Sequence, residues 1–175
     1  MFQTPLKELS DLSKEAEGIK RWGVIRGDVD NLGKIFSEGL EKEDRTLSRI
    51  STLSTYISFF FDAYINKMCK DFEGKIYGLY AGGDDFFIIG SWDILPDLSH
   101  RIYEDFRKYT AWNPDITLSI GISIAPSEKY PISKVAEVAG DELEKAKGIK
   151  RYYEEENFGI KIERDKDAIS FLGSC

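Results

Sequence analysis

The sequence predicts one mixed α/β domain of the α+β kind, with a mainly antiparallel sheet and helices packed against it. Three observations predict it. Apolar stretches of strand length alternate with stretches of helical periodicity, two of the strands are joined by a glycine turn, and no internal repeat or low-complexity tract interrupts the order. At 175 residues the chain suits a single domain with a sizeable core. Its composition, 42% apolar and 31% charged, is that of a folded globular protein rather than a disordered one.

The first strand is "WGVIRGDVDN" (22–31), a β-branched apolar run that ends on Gly27 and Asp28 and reads as buried on both faces. "NLGKIFSEGL" then suggests a short helix. A long amphipathic helix follows, with Ile50, Leu53, Ile57, Phe60, Phe61, Tyr64, Ile65 and Met68 at spacings of three and four. "KIYGLYAGGDDFFIIGSW" (75–92) reads as a hairpin, because Gly82 and Gly83 can take the positive φ of a tight turn. Leu98, Ile102 and Phe106 mark a second helix, and "ITLSIGISIAP" alternates like a strand until Pro126 stops it. A third helix spans "ISKVAEVAGDELEKAKGIKR" (132–151), with Ser133 as its cap and basic residues at its end. "FGIKIERDKDAISFLG" adds one or two edge strands. The first twenty residues read as a lead-in and 21–172 as the domain, of the ferredoxin-like or palm type.

Charge and cysteine usage exclude several function classes. With 24 Lys and Arg against 31 Asp and Glu, the net charge of −7 gives no footprint for nonspecific nucleic-acid binding, so polyphosphates would be met through a metal and a few placed cations. No uncharged apolar stretch approaches ~18 residues, and the N-terminus lacks the basic-then-apolar order of a secretory signal, which predicts a cytoplasmic protein without membrane contact. Cys69 and Cys175 have no metal or redox spacing and read as free thiols. The lone His100 reads as a structural residue on a helix face.

The chemistry concentrates at "YAGGDDFF" (80–87). Pairing the hairpin beside the first strand would bring Asp84 and Asp85 to Asp28. Like charges raise one another's pKa and destabilise a fold unless a cation sits among them, so the cluster reads as a site for Mg²⁺ or Mn²⁺. Two such ions about 4 Å apart suit phosphoryl or nucleotidyl transfer. Gly-Gly-Asp-Asp is also an ordinary polar turn on composition alone. Two further features favour the site: "VDNLGK" offers helix-start N–H groups to a phosphate, and Lys147 and Arg151, four apart on the predicted helix with Lys150 beside them, present cations on one face. Basic residues at a helix C-terminus also compensate the helix dipole.

In order and spacing, "GDVDNLGKIFSEGL", "YAGGDDFFIIGSW", "LSIGISIA" and "VAGDELEKAKGIKR" resemble the GGDD-bearing palm domain of the large signature subunit of type III CRISPR-Cas effector complexes, most closely the Csm type, over roughly residues 18–171. The palm is shared with diguanylate cyclases, whose GG(D/E)EF signature is mirrored by Gly82, Gly83, Asp84, Asp85 and Phe86. The resemblance implies synthesis of 3′–5′ cyclic oligoadenylates from ATP within a complex that holds CRISPR RNA and target RNA. It implies Asp28, Asp84 and Asp85 as catalytic, metal-binding carboxylates, joined by the Val29 carbonyl. Asn31, Leu32 and Gly33 would face the triphosphate, as would Gly82 and Gly83 at the turn, with Lys147 and either Lys150 or Arg151 on the β and γ phosphates. Diguanylate cyclases place a guanine-reading Asn eight residues after the first metal aspartate; here Phe36 stands there, which favours ATP over GTP. A nuclease domain, a first palm and a cysteine-bound zinc do not fit a chain with one His and two Cys, so the chain reads as a second palm alone, whose partners include the rest of the large subunit and its other palm. A diguanylate- or mononucleotide-cyclase-like enzyme and a silent palm that docks protein and RNA are the alternative readings.

Overall fold

The computed structural model of the chain describes residues 9–39, 46–72, 74–155 and 160–171, with the backbone alone for 78, 79, 151–155 and 160–164. Residues 1–8 of the expected lead-in, residue 172 and Cys175 lie outside them. A five-stranded sheet has the order β2-β3-β1-β4-β7, with β1 at Trp22–Val29, β2 at Ile76–Gly82, β3 at Asp85–Ser91, β4 at Leu118–Ile124 and β7 at Ile169–Phe171. β1 lies antiparallel between β3 and β4, β2 pairs antiparallel with β3, and only β7 runs parallel to its neighbour. The order β2-β3-β1-β4 is the ferredoxin-like arrangement expected from the sequence.

Both faces of the sheet are covered, which is why β1 carries apolar residues on alternate and non-alternate positions alike. Ile25 and Val29 join Phe86, Ile88, Leu118, Ile120 and Ile122 against α3 (Leu47–Phe59), α4 (Asn66–Lys70) and α5 (Leu95–Tyr109). On the other face Trp22, Val24 and Ile89 pack with Leu12 of α1 (Leu9–Glu15) and with Val135 and Ala139 of α6 (Ile132–Gly148). Leu12 is fully buried and its carbonyl accepts from Ser91 Oγ at 2.8 Å, so the lead-in helix is packed on the sheet. Among the described residues no helix is long and apolar enough to cross a membrane.

Three expectations need correction. The long helix runs unbroken from Leu47 to Lys70 but is not α-helical throughout: between α3 and α4 residues Phe60–Ile65 form a π-helical turn, where the widened winding lets adjacent Phe60 and Phe61 both enter the core edge to face, with ring centroids 5.4 Å apart. Tyr64 consequently lies 40% exposed, its ring stacked on Phe60 rather than sunk beneath it. Ser133 is not a cap, since the backbone turns helical at Ile132 and Pro131 takes the cap position with its carbonyl accepting from Lys134 and Val135. Finally, α6 stops at Gly148. Residues Lys150–Glu155 form β5, which pairs with β6 (Ile160–Asp165) as a separate two-stranded sheet, so only β7 joins the main sheet as an edge.

Candidate metal and nucleotide site

The site is assembled by register. β1 and β3 pair so that Asp28 stands directly opposite Asp85, and partners in an antiparallel ladder point to the same face. The next rung is made by the turn itself: Val29 N–H donates to the Asp84 carbonyl at 3.0 Å, fixing the two-residue Gly83-Asp84 loop against the end of β1. Gly83 has φ +70° and Asp84 keeps an ordinary negative φ, the pattern of a type II′ hairpin turn. Gly82, expected to share the left-handed conformation, closes the ladder opposite Asp85 instead. Gly27 carries no side chain because the Phe86 ring crosses its Cα, and a Cβ there would lie inside the ring's van der Waals envelope. That contact locks the strand pair one residue before the aspartates.

The electrostatics follow from the crowding. Burial and the neighbouring charges of Asp84 and Asp28 push the Asp85 carboxyl above the ordinary carboxylate pKa, with Arg26 on the same strand face partly offsetting them. Arg26 reaches over α6 at Gly140, where a Cβ would come within 2.8 Å of Nη1. Lys147, near the end of α6, places Nζ 2.6 Å from Asp28 Oδ2 and 3.5 Å from Glu144 Oε1. Burial works against its charge, but the hydrogen bond and attraction of Asp28, helped by Glu144, hold its pKa above the ordinary lysine value. Among the described residues no three His, Cys, Asp or Glu side chains converge on one point as a metal shell. The backbone register sets Asp28 opposite Asp85 beside the Asp84 turn, but the expected meeting of the three carboxylates at one point is not formed, and the Asp28 carboxylate is engaged by Lys147 instead. The donor set itself is hard oxygen with an excess of negative charge and fits Mg²⁺ or Mn²⁺.

The other expected residues divide. Asn31 sits just before α2 (Leu32–Glu38) in a left-handed conformation, φ 56°, and its Oδ1 accepts from Lys166 Nζ at 2.6 Å. Leu32 packs on the core, and Gly33 is exposed with nothing within 4 Å of where a Cβ would stand, leaving the first-turn N–H groups approachable. Lys150 and Arg151 are not on α6. They open β5, so the argument that placed Arg151 on the same helical face as Lys147 fails; the Arg151 side chain lies outside the described residues.

Sequence reasoning missed Asp30. It is 1% exposed, and its Oδ2 accepts from Thr117 Oγ1 at 2.8 Å, Ser119 Oγ at 3.0 Å and the Asp167 N–H at 3.1 Å. Burial raises its pKa against the lowering effect of those bonds and of Lys166. Asp30 thereby ties the end of β1 to β4 and to the turn before β7, beneath Asn31. Its signal was the second aspartate of "DVDN", read as part of a phosphate loop rather than as a buried brace.

A family model of the Cas10/Cmr2 second palm domain matches residues 21–153. The chain belongs to this family. As a Cas10/Cmr2 second palm of the Csm type it is 39% identical over 173 residues to the CRISPR system single-strand-specific deoxyribonuclease Cas10/Csm1 of subtype III-A from Methanocaldococcus jannaschii, covering 93% of the chain and 21% of that relative. The Csm1-Csm4 cassette solved with cA4 superposes with a TM-score of 0.68 at 32% identity over 79% of the chain, and the cassette solved with one ATP with a TM-score of 0.68 at 33% identity. The palm spans about a fifth of the length of these proteins.

Proposed function

We propose that this palm binds ATP with Mg²⁺ or Mn²⁺ and carries the nucleotidyl-transfer site for cyclic oligoadenylate synthesis in a type III CRISPR effector complex. The observation that carries the reading is the in-register pairing of Asp28 with Asp85 beside the Gly83 turn, which gathers acidic groups that no packing interaction requires. Relatives of this fold solved with ATP and with cA4 support the nucleotide class.

Asp28, Asp84 and Asp85, with the Val29 carbonyl, would hold the divalent ions, whose chemistry is to make a hydroxyl acidic and to stabilise charge on a leaving phosphate oxygen. The chain's own residues position the substrate. Backbone N–H groups at Asn31, Leu32 and Gly33 would receive phosphate oxygens, Gly82 and Gly83 leave the turn open beside them, and Lys147 would neutralise the β and γ phosphates. Lys150 and Arg151, expected on the same phosphates, open β5 rather than the helical face that carries Lys147. The 3′-hydroxyl of one ATP gives up its proton to solvent as its oxygen forms a bond to the α-phosphorus of another, the α–β bridging bond breaks, and pyrophosphate leaves with its electron pair. Phe36, half-buried on α2, offers no hydrogen bond to a guanine edge. The partners that complete the site would be the rest of the large subunit with its other palm, a Csm4-type subunit, and CRISPR and target RNA.

Calorimetric titration of ATP with Mn²⁺, and of GTP with Mn²⁺, into the 175-residue chain tests the reading. ATP binding that disappears in Asp84→Asn/Asp85→Asn supports it. Tighter binding of GTP would favour a diguanylate-type enzyme, and no binding of either nucleotide would favour a docking palm.

A further inference from the structure

We propose that Lys147 is a tethered cation that occupies the carboxylate site when metal is absent and is handed to the triphosphate when a divalent ion enters. The inference rests on the metal and nucleotide reading above and concerns how that site is controlled. Lys147 Nζ lies 2.6 Å from Asp28 Oδ2, and both side chains are about one-quarter exposed, at 23% and 27%. A hard divalent ion needs a carboxylate oxygen of Asp28, and an ammonium hydrogen-bonded at 2.6 Å to Oδ2 competes for it.

The placement of Lys147 suits an exchange. It stands one residue before the end of α6, so its long stem pivots from a helix terminus rather than from the packed middle of the helix. Behind it α6 is held firmly, since its backbone rests on Gly121 of β4 and Val135 and Ala139 are buried against the sheet. Glu144 offers a second, exposed anchor at 3.5 Å, which keeps the ammonium near the site once Asp28 is released. Meanwhile Asp84 and Asp85 remain beside Asp28 with Arg26 the further cation acting on Asp85 among the described residues, so the site keeps an excess of negative charge that one lysine does not cancel. A divalent ion arriving alone must therefore break the pair and leave the ammonium only the exposed Glu144. One arriving with a triphosphate gives Lys147 a new anionic partner in the same event, and metal and nucleotide bind as a unit.

The test is a titration of Mn²⁺ alone, without nucleotide, into the full 175-residue chain, followed by the loss of the free Mn²⁺ paramagnetic resonance signal. Lys147→Met, which keeps the apolar stem and removes the charge, should bind Mn²⁺ about fivefold tighter, corresponding to the ~1 kcal/mol of an ion pair of this exposure. Lys147→Arg, which keeps the pair, should bind Mn²⁺ as weakly as the native chain. The Met variant should at the same time lose affinity for ATP. Equal Mn²⁺ affinity of native and Met chains, with binding abolished in Asp85→Asn, would overturn the exchange while leaving the metal site in place. No Mn²⁺ bound by any of the chains would overturn the exchange and the metal site together.

Discussion

Gly121→Ala is the substitution that most directly asks whether the docking of α6 places the site. Gly121 lies on β4 opposite Arg26 of β1, and α6 crosses it so closely that a Cβ would stand 2.8 Å from the Glu142 carbonyl carbon and closer still to Leu143 N and Ala139 O. All three are backbone atoms of the helix, so no rotamer change relieves the overlap. Ordinary contact begins near 3.4 Å, and to clear Leu143 N, the closest of the three, α6 must retreat by about 1.2 Å. Overpacking of this kind costs about 1–3 kcal/mol, and in a domain of this size each kcal/mol lowers Tm by about 2–4 °C. The helix carries Lys147 one turn beyond Leu143, so the same retreat lengthens the 2.6 Å pair with Asp28. Thermal unfolding and calorimetric ATP titration on the same sample are the assay, with an expected Tm drop of about 2–12 °C and weaker ATP binding. Gly33→Ala is the stability control, because nothing lies within 4 Å of its Cβ position and alanine favours the helix by up to about 1 kcal/mol. If Gly121→Ala melted with the native chain and bound ATP equally well, α6 would not be setting the position of Lys147.

Three further outcomes follow from the same coordinates. Asp84→Asn/Asp85→Asn should abolish nucleotide transfer in the assembled complex and raise Tm in metal-free buffer. Because the Asp85 pKa is raised in the folded chain, folding favours its protonated form. The penalty is absent below the ordinary value of 3.8 and grows as pH rises through the folded value, so the Tm gain should appear at pH 7 and vanish near pH 3. Asp30→Ala should cost about 3 kcal/mol in urea unfolding, since it strands two hydroxyls and a backbone N–H that now share one carboxylate oxygen. Cys69, whose thiol is pushed up to about 12 by burial, should resist alkylation at pH 8 until the chain unfolds.

The legible part of this molecule is the part whose pattern is local. The β1 run, the Gly83 turn and the period of α5 all announce themselves within a dozen residues, and together they force the antiparallel neighbours that set Asp28 against Asp85. The illegible part depends on partners distant in sequence. The end of α6 at Gly148 could not be read from "AKGIKR", because its basic residues continue a helical pattern while residues 150–155 leave it to pair with 160–165. The π-turn at Phe60–Ile65 arises from fitting two adjacent rings against Phe86 and Phe106, neither of which is local to it.

Asp30 shows why the second aspartate of a D-x-D pair is the harder one to assign. Alternation along a strand would put it beside Asp28, yet β1 ends at Val29 and the chain turns, burying Asp30 under Thr117, Ser119 and the Asp167 N–H. Two carboxylates two residues apart thus serve opposite ends: Asp28 stays within reach of solvent and bound by a single exchangeable lysine, while Asp30 is immobilised by three donors and fixes the strand terminus from which Asp28 projects. A site that must exchange an ammonium for a metal needs such a pairing of one loosely held acid with one rigidly held one. Losing Asp30 should therefore weaken Mn²⁺ and ATP binding together even in a chain that still folds.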